Sequence, residues 1–117
     1  MVDRRLKLLL DATDAIDLAR SFLGGASLEE YSQSPLIRAG VERQLEILGE
    51  ACMRLAKLES TLFDRIPACR SAIGLRNRII HGYDALDDNL IRETVLAALP
   101  PLRMALHAWL TELDPQA

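Results

Sequence analysis

The chain is poor in rings: two Phe, two Tyr and one Trp make up 4% of its 117 residues. Its core must therefore be aliphatic, and it offers few surfaces for stacking nucleobases. Cysteine is scarcer still. Cys52 and Cys69 form no C-x-x-C pair and no Cys/His cluster, which excludes a disulfide framework and a zinc site. They read as reduced core thiols without catalytic chemistry, because no acid, base or histidine stands at a suitable spacing. No apolar run approaches the roughly 18 residues of a membrane span. The leucine-rich start, Met1 to Leu10, is interrupted by Asp11, Asp14 and Asp17 and has no small-residue cleavage site, so a cytoplasmic chain is expected. Alternating β-branched runs flanked by turn dipeptides are missing too, which excludes strands. With 50% hydrophobic and 26% charged residues the chain is not disordered, and its length suits a single domain spanning 1–117.

The net charge of −3 argues against a nucleic-acid partner until its distribution is considered. Between Asp64 and Asp84 there is no acidic residue, yet Arg65, Arg70, Arg76 and Arg78 lie there. The interval is thus +4 and the remainder −7. Such a patch is a local anion site on an acidic body.

The hydrophobic period is helical almost throughout. Leu6, Leu10, Thr13, Ile16, Ala19 and Leu23 define a first helix that Gly24-Gly25 ends. Ser27-x-x-Glu30 is a capping box for a short turn, and Ser34-Pro35 gives an N-cap followed by proline at the first helical position. Ile37, Val41, Leu45, Leu48, Cys52 and Leu55 then mark one face of the longest helix, running to about Leu58. Glu59 to Ile66 reads as a connector. A further helix begins at Pro67 and ends at Gly82, and a last one begins near Asn89, capped from the acidic loop Asp84–Asp88. Pro100-Pro101 must kink or break that last helix. The expected architecture is all-α, an up-and-down bundle of four to five helices.

The helix after Pro67 departs from binary patterning. On a helical wheel with about 100° per residue, Cys69, Ala72, Ile73, Ile79 and Ile80 fall within about 60° of Arg76. A guanidinium buried there without a partner costs on the order of 3–5 kcal/mol. Either a carboxylate such as Glu46 or Glu50 pairs with it, or the arc opens onto a cleft that holds an anion. Arg70, Asn77 and His81 share a neighbouring stripe, with Gly74 on its flank positioned to let another backbone approach. Arg78 points away, as a solvated charge. His81 alone suits a helix C-terminus, and Asp84, Asp87 and Asp88 suit a helix cap better than a metal site. His107 and Trp109 read as packing or dimer residues.

The stretch Arg76-Asn77-Arg78-Ile79-Ile80-His81-Gly82-Tyr83 matches R-x-x-x-x-H-x-Y and resembles the HepT-type toxins of the HEPN superfamily. Arg43 to Ala51 and Ile73 to Asn77 resemble the family as well, so the likeness runs from about Leu8 to Leu110. Ala68-Cys69 departs from it where many relatives carry a tryptophan after the proline. The resemblance implies a helical homodimer acting as a metal-independent RNA endonuclease. It also implies an antitoxin partner, a nucleotidyltransferase of the MNT type that transfers AMP from ATP to the motif tyrosine. Carried over, Arg76 and His81 are catalytic, Asn77 supports them with Arg70 as a further RNA contact, and Tyr83 is the adenylylation target. No cofactor is implied.

The residue chemistry suits that activity. RNA carries an internal nucleophile in its 2′-OH, imidazole exchanges protons near neutral pH, and guanidinium matches phosphate oxygens with a planar fork. One motif supplies one histidine, whereas acid and base are two roles, so two copies meeting at a cleft complete the set. The alternative is a non-catalytic nucleotide- or partner-binding subunit of a nucleotidyltransferase, which needs Arg76 and has no use for proton transfer at His81. A purely structural helical dimeriser, with Arg76 paired internally, is the blandest reading.

Overall fold

A computed structural model describes residues 3–82 and 86–116, and every regular element among them is helical. Long helices carry the architecture: α1 (Arg4–Leu23), α3 (Pro35–Leu58), α5 (Ala68–His81), and a final run built from α6 (Asp88–Glu93), a π-helical turn (Thr94–Ala98) and α7 (Leu99–Leu113). Two short helices, α2 (Leu28–Gln33) and α4 (Leu62–Arg65), sit between them; α4 falls in the stretch expected to be a plain connector.

The helix ends follow the local chemistry. Asp3 accepts from the Arg5 N–H at 2.9 Å to open α1, and Gly24 closes it at φ 55°. The Ser27/Glu30 capping box forms in both directions, at 3.1 and 3.0 Å. Ser34 caps α3 at 3.1 Å with Pro35 as its first residue. Gly82 takes the left-handed conformation, φ 58° and ψ 26°, at the end of α5. Asp87 caps α6 by accepting from the N–H groups of Asn89 and Leu90 at 2.9 and 3.2 Å.

Of the kink or break expected at Pro100-Pro101, the break does not occur. The wider π turn precedes the pair, with the Leu99 N–H donating to the Thr94 carbonyl, and the prolines fall in the opening turn of α7. The missing donors and the ring clash are absorbed where the helix changes its winding.

α3 packs against α1 on one side and α5 on the other, and α7 lies against α1. Val41, Leu45, Leu48, Cys52 and Leu55 are buried along the expected face of α3. On α1 the expected stripe is buried at Thr13, Ile16, Ala19 and Leu23 and shifts only in the opening turns. Leu9, Ala12 and Ile16 are fully buried, while Leu10 is 45% exposed. Three consecutive leucines left the rotation of those turns ambiguous, and packing against α3 selects the middle one. Trp109 is buried with Leu106, and the Arg65 guanidinium lies over its ring, 5.0 Å from the centroid, while also pairing with Glu112. Trp109 is thus a packing residue, whereas His107 is exposed.

Asp17 on α1 and Arg103 on α7 form a two-pronged ion pair, at 2.6 and 3.0 Å. The Arg103 hydrogen bond holds the Asp17 carboxyl below its ordinary value of 3.8. A carboxyl lowered on folding stabilises the fold above its unfolded value and loses that contribution as pH falls through the folded one. The pair is solvent-accessible, so it contributes about 0.2–1 kcal/mol. Thermal melts from pH 7 down to pH 3 should show Asp17→Asn slightly less stable at neutrality and equal to the parent at the acid end.

Candidate functional site

α5 lacks an acid in its first turn, and Cys69 is its one fully buried residue. Ala72, Ile73 and Ile79 are half-buried and Ile80 is 46% exposed, so much of the apolar arc around Arg76 remains uncovered by this chain. The Arg76 side chain keeps 21% of its surface exposed. One of its terminal nitrogens donates to Asn77 Oδ1 at 2.9 Å, and the other pairs with Glu50 Oε2 at 3.0 Å. The first possibility left open by the sequence is therefore realised. A carboxylate on α3 pairs with the guanidinium, and the same guanidinium lines a groove of about 270 Å³ with Arg43, Glu46 and Arg54.

A glycine makes this contact possible. A Cβ on Gly49 would lie 2.3 Å from the Arg76 Cβ and 2.9 Å from the Ala72 carbonyl oxygen. α5 thus crosses α3 at Gly49, and the stem of Arg76 lies directly on the α3 backbone. Gly74, expected to admit a neighbouring backbone, meets nothing within 4 Å in this chain; the close approach is on the opposite helix.

His81 is the last residue of α5 and is exposed. At about 1.5 Å rise per residue it lies roughly 7.5 Å along the axis from Arg76. Arg70 is exposed further back, its guanidinium 4.7 Å from the centroid of Phe63. The expected shortage of stacking surfaces is thereby partly made good, since an arginine plane lying on a ring presents its outer face to solvent. The structure joins Arg76 to Asn77, while His81 and Arg70 stand at opposite ends of the same helix. Tyr83 and Asp84 lie outside the described residues.

Arg78 is exposed, as expected, at the rim of a mainly apolar groove of about 440 Å³ that also includes Gly74, Leu75, Leu90 and Leu99. Cys52 and Cys69 are both buried where α3 meets α5, and both are free. The Cys69 contact and burial push the Cys52 thiol up, while the hydrogen bond from Cys52 lowers Cys69. Among the described residues no group of three or more His, Cys, Asp or Glu could hold a metal ion. Likewise, no described helix is long and apolar enough to cross a membrane.

Gly49, Arg54 and Phe63 escaped the sequence reading. The one signal for the first is a glycine in the interior of a long helix, which costs helix stability and so points to a close approach.

Three proteins of similar sequence carry ribonuclease names. A protein of Caldanaerobacter subterraneus subsp. tengcongensis named as a candidate RNase is 32% identical over 78 residues, covering 67% of this chain and 69% of its own. A candidate HepT ribonuclease of Thermococcus cleftensis is 30% identical over 95 residues, 81% of this chain and 86% of its own. A candidate RNase of Methanocaldococcus jannaschii is 25% identical over 106 residues, 91% of this chain and 87% of its own. No solved structure matches the chain significantly. The all-helical fold and these likenesses place the chain among ribonucleases of the HEPN type. Within that class it belongs to the ribonuclease HepT-like family, whose model matches residues 12–108.

Proposed function

We propose that this chain is the toxin of a toxin–antitoxin pair, a homodimeric, metal-independent RNA endonuclease of the cytoplasm that adenylylation of Tyr83 silences. The observation that carries the reading is the Arg76 guanidinium, fixed by Asn77 and Glu50 yet accessible at a groove. One of its five N–H donors bonds Asn77 and a second nitrogen faces Glu50, which leaves donors for phosphate oxygens.

In the proposed reaction the 2′-OH attacks the adjacent phosphorus. The O2′–P bond forms as the P–O5′ bond breaks, leaving a 2′,3′-cyclic phosphate and a free 5′-OH. One imidazole takes the 2′-OH proton and a second delivers a proton to O5′. His81 of each protomer supplies one of these roles, while Arg76 stabilises the charge that builds on the phosphoryl oxygens. Asn77 holds the guanidinium, and Arg70 takes a neighbouring part of the RNA strand. The incompletely covered arc of Ile73, Ile79 and Ile80 suits a surface that a second copy closes.

Adenylylation at Tyr83 adds bulk and a negative phosphodiester two residues from His81, where it competes with RNA for Arg76. The partner is an MNT-type nucleotidyltransferase using ATP. Expressing the chain alone and together with that enzyme, while following growth and the intact mass, tests the proposal. Growth arrest without the partner and an adenylate on Tyr83 with it are expected. Tyr83→Phe should stay toxic in the presence of the partner. Equal neutralisation of Tyr83→Phe would remove this tyrosine as the target, and absence of RNA cleavage by the unmodified dimer would leave the nucleotide-binding subunit as the better reading.

A further inference from the structure

We propose that Glu50 is a positioning residue for the reaction at Arg76: it fixes the guanidinium fork without touching the RNA. This rests on the nuclease reading and goes beyond it, since the motif that supports that reading lies wholly on α5 and in the residues after it, whereas Glu50 stands on α3.

The argument starts from the freedom of the side chain. An arginine head sits on four rotatable bonds, and a fork that must meet phosphoryl oxygens has to be aimed before the substrate arrives. Three contacts remove that freedom here. The stem lies on the α3 backbone at Gly49, where any Cβ would displace it. Asn77 Oδ1 accepts a hydrogen bond from one terminal nitrogen at 2.9 Å. Glu50 Oε2 forms an ion pair with the other at 3.0 Å.

Glu50 is itself anchored. Its second oxygen accepts from Arg54 Nε at 3.0 Å, one turn along the same helix. Arg54, Glu50, Arg76 and Asn77 thus form a continuous polar chain across the α3–α5 seam. Glu46, one turn earlier, does not share this task, because it pairs with Arg43 at 3.0 Å.

A carboxylate on a phosphate-binding arginine could instead compete with the phosphate. The geometry points to support. Glu50 faces one terminal nitrogen, and its Oε1 is already engaged by Arg54, so the remaining N–H donors of Arg76 can receive a phosphate while Glu50 stays in place. The two roles predict opposite kinetics. A positioning residue acts on the turnover rate, and a competitor acts on apparent affinity.

The experiment compares the full-length parent, Glu50→Ala, Glu50→Gln, Arg54→Ala and His81→Ala on a short fluorescent single-stranded RNA, with thermal midpoints measured in parallel. For Glu50→Ala, kcat should fall about 10–100-fold with KM within about threefold of the parent. Glu50→Gln, which keeps an acceptor oxygen for Arg76, should recover a large part of that loss. Arg54→Ala should lower kcat by roughly threefold, by loosening the anchor rather than the fork. Should Glu50→Ala fail to fold, Glu50→Met, which likewise removes the acceptor, takes its place, and a kcat equal to the parent's in that variant overturns the proposal. A lowered KM in either Glu50 variant also overturns it and makes the carboxylate a competitor of the phosphate. The parent and His81→Ala separate the two levels. If the parent cleaves, His81→Ala does not and Glu50→Ala is unimpaired, only the positioning role fails. If the parent does not cleave, the nuclease reading fails and this role with it.

Discussion

His81→Ala should lower RNA cleavage by about 10²–10⁴-fold, the range for loss of a proton-transferring side chain. The fold should survive, because His81 is exposed and terminal on α5 and Gly82 still closes the helix. Arg76→Lys belongs to the same test, since lysine keeps the charge and loses the fork. An ammonium cannot reach Asn77 Oδ1 and Glu50 Oε2 in the guanidinium's plane and still present paired donors to a phosphate. A loss of about 10²–10³-fold is therefore expected even for this substitution. Initial rates on a defined RNA, beside the melting curve and solution mass of each variant, check both results. Full activity in His81→Ala with the dimer intact would sink the proton-transfer mechanism.

Gly49→Ala should be the most damaging conservative substitution in the molecule. Alanine favours a helix interior over glycine by about 1 kcal/mol. Here the added methyl would sit 2.3 Å from the Arg76 Cβ and 2.9 Å from a backbone oxygen of α5. Neither atom is the far end of a flexible chain, so the two helices must part. Overpacking of this kind costs typically 1–3 kcal/mol, enough to outweigh the propensity gain. A melting temperature several degrees lower is expected, at roughly 4–8 °C per kcal/mol for small domains. Arg76 should be misaimed too, so the turnover rate falls further than stability alone would suggest. Gly74→Ala is the matched comparison, with open space around its would-be Cβ within this chain. It should be neutral or slightly stabilising in a monomer; a marked loss in solution would mean that a second chain closes on Gly74.

Much of this molecule is legible in its sequence. Ser27, Ser34, Pro35, Gly24 and Gly82 each carry a local signal, and each does in the fold what that signal implies. The spacing of Val41, Leu45, Leu48, Cys52 and Leu55 likewise fixed the buried face of α3. The opening turns of α1 were less accessible, since Leu9 and Leu10 both fit the spacing between Leu6 and Thr13 and only the opposing surface decides between them. At Pro100-Pro101 the sequence announced a difficulty without its solution, because a π turn is a collective response of several residues.

The candidate site divides in the same way. Arg76 stood out because it broke the apolar arc, and Glu50 could be named beside Glu46 as a possible partner. Choosing between them needed the depth at which α5 crosses α3. That depth is set by Gly49, a residue with no side chain to advertise it. Arg70 stacked on Phe63 was equally hidden, since the ring comes from α4, in a stretch with no helical pattern strong enough to read.

One feature of the packing bears on how the protein opens. α5 is held mainly by α3; its other flank borders the apolar groove toward the last helix, and Cys69 is the only residue it buries completely. Few interior contacts and exposed amides mark the segments that detach first in sub-global unfolding. The backbone protons of α5 should accordingly trade with deuterated solvent well before those of α1 and α3, which opens the helix bearing Arg76 and His81 to chaperones or proteases ahead of those two.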